Sequence, residues 1–425
     1  MKRKMHYRCL PAVVVLLTIG SLCPAEKKPQ QIKPAATLPK TTPWDLKALS
    51  TAPQFKWAQC SIKGVRAMHY AGLAYKGKPT RVFAYYATPG TLSGDASKDR
   101  KSKKLPAVVL VHGGGGTAFD RWVQLWARRG YAAISMDLGG RGAKRKRMPD
   151  GGPDQGDATK FGAVDGPNGD QWTYHAVANV ILAHSLIQSF DEIDADRTAL
   201  TGISWGGYLT CIVMGLDNRF KAAVPVYGCG YLHENSVWLG RFKKMASDEL
   251  RAKWVRLWDP SMYAGSASMP VLFVNGGRDF AYPPDSHART AALVTAPGKN
   301  MHFVPNLAHG HIFDRPKAIE VFIDQHLRGG LEPPVVGPAK IDGDKASAAV
   351  KTKTTLVSAT LCYTTSEFAG DNRGRKWTEK PATIADNRIT AAAPPKDATA
   401  WFLTVSDQRK TLVSSALVFP ERSTP

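Results

Sequence analysis

Past residue 25 the chain has no apolar run of the ~20 residues that a membrane-crossing helix requires, which excludes a multispanning protein. Cysteine is scarce, six in 425 residues, and Cys9 and Cys23 fall within the first 25. That density excludes a small disulfide-stapled scaffold. The other four, Cys60, Cys211, Cys229 and Cys362, admit three full pairings between which sequence does not choose, and they are left unpaired. Acidic residues are also few, 35 against 57 lysines and arginines, for a net charge of +22. A balance so basic favours anionic partners or surfaces but says nothing about fold. No internal repeat is evident, so a solenoid or repeat array is excluded.

The first residues have a separate logic. Lys2, Arg3, Lys4 and Arg8 precede "LPAVVVLLTIG", with "SLCPAEKK" directly after it. This is the layout of a secretory signal peptide over 1–25, with cleavage after Ala25, and it predicts a secreted or periplasmic protein with no stable membrane insertion once the signal is gone. The competing reading is a membrane anchor, for which the run is short. Leu22 stands before Cys23 where a lipid-anchoring signal would carry a small residue.

Residues 26–53 open with a stretch rich in Pro, Lys and Gln and read as a flexible leader. From 54 to 327 continuous apolar strands such as "LPAVVLVHGG", "YAAISMDL", "TALTGI" and "MPVLFVNGG" alternate with longer helical patterns such as "WTYHAVANVILAHSLIQSF". That alternation predicts an α/β domain, a mostly parallel sheet with helices on both faces. Residues 328–348 are Gly- and Pro-rich enough for a linker. Residues 349–425 carry short β-branched and aromatic runs that predict a small immunoglobulin-like all-β sandwich. A chain ending near Leu327 is then expected to fold and to keep the chemistry of the α/β domain.

The chemistry centres on "ALTGISWGGYL", where a strand meets a helix at Gly202-Ile203-Ser204-Trp205-Gly206. A sharp turn at Ser204 would bring strand and helix backbones too close for a β-carbon at either glycine, while exposing the serine hydroxyl. A hydroxyl is a poor nucleophile without a base, so partners must lie further along the chain. "MPVLFVNGGRDF" delivers Asp279 after a strand, and "MHFVPNLAHGH" delivers His309 or His311 after the next. Asp279 would orient the imidazole, although an aspartate there also suits bonding to its own loop amides, and Asp285 lies nearby. His309 is preferred because Gly310 lets its loop approach the serine; His311 stays the alternative. The H-x-H pair has no cluster of further ligands around it, so no metal is expected.

"VLVHGGGGTAF" supplies a glycine loop after a strand. It lacks the Gly-Lys-Ser/Thr ending of a phosphate-binding loop. Backbone N–H groups of Gly114 and Trp205 are the expected donors to an oxyanion. Trp238, Trp254 and Trp258 lie in a segment expected to form a small cap, either lining a pocket or filling its core. "RGAKRKR", Arg141 to Arg147, comes after a strand and is either a solvated loop or a basic rim near the serine.

The motifs "HGGGGTAFDRW", "GISWGG", "WDPSMY", "VNGGRDFAYPPDS" and "PNLAHGH" resemble the α/β-hydrolase superfamily, and more closely its secreted dienelactone hydrolase, acetylxylan esterase and prolyl oligopeptidase-like group. The resemblance implies Ser204 as nucleophile, Asp279 as acid and His309 as base, with no cofactor. It implies a serine hydrolase of carboxylic esters, acetyl esters on carbohydrate foremost, whose partner is a small-molecule or polysaccharide ester, an anionic polysaccharide included, and not nucleic acid. A peptidase is the alternative, weakened because no β-propeller precedes the hydrolase region; an inactive carbohydrate-binding protein on the same scaffold is the other.

Overall fold

The computed structural model describes residues 30–33, 37–39, 42–101, 103–307, 309–367 and 372–420. The expected signal peptide lies outside them. No helix among the described residues is long and apolar enough to cross a membrane.

Nine strands build the main sheet: β1 (Phe55–Ala58), β2 (Arg66–Tyr75), β3 (Lys78–Ala87), β4 (Leu105–Val111), β5 (Ala132–Met136), β6 (Ile193–Ile203), β7 (Ala222–Val226), β8 (Leu272–Gly276) and β9 (Asn300–Val304). Side by side they run β1-β2-β3-β5-β4-β6-β7-β8-β9. The first three pair antiparallel, β3 pairs antiparallel with β5, and from β5 to β9 every pairing is parallel. Helices cover the sheet, and this explains the continuous apolar runs: all five residues of β5, β7 and β8 are buried. The helix Trp172–Gln188 is buried along almost its whole length.

The segment read as a leader contributes to this core. Ile32, Leu38 and Trp44 are buried, Ile32 donates its N–H to Ser50 Oγ at 3.0 Å, and the short helix Leu46–Leu49 buries both of its leucines. Three apolar side chains among prolines and lysines carry no helical or strand period, so composition alone did not disclose the contact.

After the helix Lys317–Arg328 the chain makes eight further strands, β10 (Val335–Val336), β11 (Lys340–Asp342), β12 (Lys345–Lys351), β13 (Leu356–Thr364), β14 (Thr378–Ala385), β15 (Arg388–Ala392), β16 (Ala400–Asp407) and β17 (Leu412–Ser414). All pair antiparallel and enclose a second apolar cluster that includes Val350, Leu361, Ile389, Trp401 and Leu403. This region is joined to the main sheet. β17 pairs with β9 at Ser414 and Met301, Phe303 donates its N–H to Ser414 Oγ at 3.1 Å, and His302 Nδ1 donates to Leu412 O at 2.6 Å. Phe303, Cys362, Phe402 and Leu417 pack in one cluster across the seam.

Candidate active site

Ser204 ends β6 and begins the helix Trp205–Leu216 with φ 60° and ψ −119°. A non-glycine residue is rarely held there, and the strain persists because the neighbours leave no alternative path. A β-carbon on Gly202 would stand 2.2 Å from Gly206 O, and one on Gly206 would stand 2.0 Å from Val111 O. The two glycines therefore let strand, helix and β4 meet at one point. The turn is closed by Ser204 N–H to Val226 O at 2.9 Å and by Tyr208 N–H to Ser204 O at 2.9 Å.

His309 Nε2 lies 2.9 Å from Ser204 Oγ, and His309 Nδ1 lies 2.7 Å from Asp279 Oδ2. Asp279 is 1% exposed. Its second oxygen accepts from the N–H groups of Ala281 and Tyr282, each at 2.8 Å, so the carboxylate braces its own loop and faces the imidazole at once. The geometry suits both sequence readings of Asp279, one on each oxygen. Asp285 points elsewhere and accepts from Asn235 Nδ2.

His311 has a different place. Its Nε2 accepts the Gly113 N–H at 3.0 Å, with its ring against Phe119 at 4.9 Å. Burial first, then the electrostatic influence of His112, His309 and Arg145, push its pKa down to about 4, so the ring stays neutral and accepting near neutral pH. His112 works on the same loop. Fully buried, it accepts the Leu138 N–H on Nε2 at 3.0 Å, which leaves Nδ1 to donate to Gly113 O at 2.7 Å. Sequence reasoning passed over both roles, because a histidine that holds a backbone loop has no signature distinct from one that moves protons.

Gly114 and Trp205 line the same cavity as Ser204 and His309, a space of about 280 Å³ with Trp238 and Phe280 among its walls. Trp205 is the first residue of its helix, and the N–H there has no partner one turn back. Of the three cap tryptophans, Trp238 lines this cavity, whereas Trp254 and Trp258 are fully buried and donate to Lys160 O and Gln171 Oε1. Beneath the wall, the Lys160 ammonium sits 4.4 Å from the centre of the Trp205 ring, and burial brings its pKa down to about 8. In the basic run, Arg145 donates to Gly115 O, beside the cavity, and Arg147 to the carbonyls of Gly139, Gly151 and Gly152. Lys144 and Lys146 are exposed. Among the described residues Cys60, Cys211, Cys229 and Cys362 are free.

A mostly parallel sheet with this order, a strained serine just past the end of β6, a carboxylate past the end of β8 and an imidazole past the end of β9 make the molecule an α/β-hydrolase. A model of the acetyl xylan esterase (AXE1) family matches residues 41–266, just over half of the chain. The chain belongs to the acetyl xylan esterase family, a family of carboxylic ester hydrolases. Two solved structures share the fold. The acetyl xylan esterase from Paenibacillus sp. R4 is 22% identical with a TM-score of 0.52, over 66% of this chain and 92% of that one. Acetyl xylan esterase 1 from Thermoanaerobacterium sp. JW/SL YS485 is 18% identical with a TM-score of 0.52, over 65% and 88%. Among curated proteins, the uncharacterized peptidase YuxL of Bacillus subtilis (strain 168) is 28% identical over 252 residues, 52% of this chain and 35% of that relative. The chain thus spans about a third of the length of the curated relative it matches.

Proposed function

We propose that the protein is a serine esterase that removes short acyl groups, acetyl foremost, from carbohydrate alcohols. The observation that carries this reading is the line Ser204 Oγ, His309 Nε2 and Nδ1, Asp279 Oδ2, with contacts of 2.9 and 2.7 Å, opening on a small aromatic-walled cavity. Ser204 Oγ attacks the ester carbonyl as His309 Nε2 takes its proton. Asp279 stabilises the imidazolium, and the Gly114 and Trp205 N–H groups receive the charge on the carbonyl oxygen. His309 returns the proton to the departing alcohol oxygen, leaving an acyl-Ser204. Water then repeats the two proton transfers and frees the acid.

A cavity of about 280 Å³ walled by Trp205, Trp238 and Phe280 favours a short acyl group over a long chain. Arg145, beside Gly115 at its edge, and the exposed Lys144 and Lys146 favour an ester on an anionic polysaccharide. The signal-like pattern of residues 1–25 supports a substrate outside the cytoplasm.

The similarity to the Bacillus subtilis relative supports a second reading, a peptidase. One panel separates them. Turnover is measured on acetylated sugars, aryl acetates and peptide amides, beside labelling of Ser204 by a fluorophosphonate. Esterase activity on acetylated sugars with no amide cleavage is expected. Faster amide than ester turnover would replace the esterase reading with the peptidase one, and absence of labelling would leave a binding protein on a hydrolase scaffold.

A further inference from the structure

The loop that carries Asp279 is built unlike the turn that carries Ser204. Ser204 is locked where Gly202 and Gly206 bring β6, the helix and β4 together, whereas Gly277 to Phe280 lie just past the end of β8 with Arg278 and Phe280 exposed. Its inner side is held by backbone bonds, Gly277 N–H to Val304 O of β9 at 2.9 Å and Asp279 N–H to Gly276 O at 3.2 Å.

The outer side is held by residues of the C-terminal region just before β14. Trp377 Nε1 donates to Gly277 O at 3.0 Å. The indole lies so close that a β-carbon on Gly277 would stand 2.2 Å from Trp377 Nε1. Arg278 Nε donates to Arg373 O at 2.8 Å, and the Arg373 guanidinium carbon is 5.7 Å from the centre of the Phe280 ring, itself 4.9 Å from that of His309. Trp377 is fixed in turn by rings from both sides of the seam, Phe303 of β9 at 5.9 Å and Phe402 of β16 at 5.3 Å.

We infer that Trp377 is a positioning residue for Asp279: from its place just before β14 it holds the acid loop by the Gly277 carbonyl and thereby keeps the carboxylate in line with His309. The inference rests on the reading of Asp279 as the group that orients the imidazole. A misplacement of the order of 1 Å in such an array costs up to about a hundredfold in rate, and the loss is bounded by that of removing the carboxylate's charge altogether.

The test uses the full chain and p-nitrophenyl acetate, with kcat and KM measured for the wild type, Trp377→Ala, Trp377→Phe, Asp279→Asn and the pair Trp377→Ala with Asp279→Asn. Trp377→Ala is expected to lower kcat about tenfold with KM within about twofold, and to add less than about twofold to the loss in Asp279→Asn, because both changes spoil one contact. Losses that multiply, or a folded Trp377→Ala within twofold of the wild type, would overturn the inference while leaving the role of Asp279 intact. Wild-type turnover in Asp279→Asn would overturn the role of Asp279 itself, and this inference with it. Should Trp377→Ala not fold, Trp377→Phe takes its place, since it keeps a ring between Phe303 and Phe402 and cannot donate to Gly277 O. A loss of at least about threefold that vanishes in the Asp279→Asn background supports the inference, and anything smaller or multiplicative overturns it.

Discussion

Replacing His311 separates two histidines that stand two residues apart. In His311→Ala the Gly113 N–H, now 3.0 Å from Nε2, loses its acceptor while the loop remains packed between Ile203, Ser204 and His112. An unsatisfied buried donor costs about 1–3 kcal/mol, which is roughly 5- to 150-fold if all of it falls on the transition state. The upper limit is set by the loop's catalytic task, because losing one oxyanion donor costs about a hundred- to a thousandfold in kcat. His311→Gln, which offers an amide oxygen near the same place, should recover part of the loss. His309→Ala removes the base and should cost several orders of magnitude, as members of a triad act as a unit. The assay is kcat on an aryl acetate near neutral pH, where His311, with a pKa of about 4, is neutral in the wild type. If His311→Ala equals His309→Ala, or if His309→Ala keeps near-wild-type turnover, the division of labour between the two rings is wrong.

His287 is fully buried with no partner on either ring nitrogen among the described residues, and burial brings its pKa down to about 3 from 6.5. Below 6.5 the unfolded chain binds a proton that the native ring refuses, so stability falls as pH drops toward 3, by about 1.4 kcal/mol per unit at most. His287→Leu should show a stability advantage in urea unfolding that widens between pH 7 and pH 4.5, and a constant gap would refute this. Contrary to the expectation from sequence, a chain ending at Leu327 should be insoluble or inactive, because it bares the β9 edge and Phe303, which is 0% exposed in the whole protein; a soluble, fully active fragment would count against it. Lys144→Gln with Lys146→Gln should reduce the preference for anionic over neutral esters at low salt and spare turnover of a neutral aryl acetate. Arg145 and Arg147 are kept in that variant because their guanidinium groups hold loop carbonyls. An unchanged preference would leave the lysines as surface charge.

The parallel sheet was legible in residues 54–327 because strands buried on both faces must be apolar throughout, as β5, β7 and β8 are. The tie between the C-terminal strands and β9 was not. It rests on Ser414, Leu412, Phe402 and Trp377 meeting Met301, His302, Phe303 and Gly277, and no local period marks a strand that will pair across a hundred residues of chain. The Gly- and Pro-rich stretch at 328–348 signals a change of structure and leaves open whether the strands beyond it dock on the sheet before it.

By itself the sequence determined the local geometry of the serine, since Gly202 and Gly206 flanking Ser204 at the junction of an apolar strand and a helix admit few turns other than the one with φ 60°. It also determined that an aspartate and a histidine would leave consecutive strand ends in that order, because chain order through a parallel sheet is a covalent fact. Tertiary structure alone decided which imidazole meets Ser204 Oγ. His309 and His311 leave the same loop in the same sequence context, and a difference of two residues becomes a difference of role only when one ring packs beside Tyr227 and Phe280 and the other beside Phe119. The same holds for the acid loop, whose outer support comes from Trp377, 98 residues past Asp279 and 100 past the carbonyl it holds. Such contacts depend on packing between distant segments, and packing has no linear code.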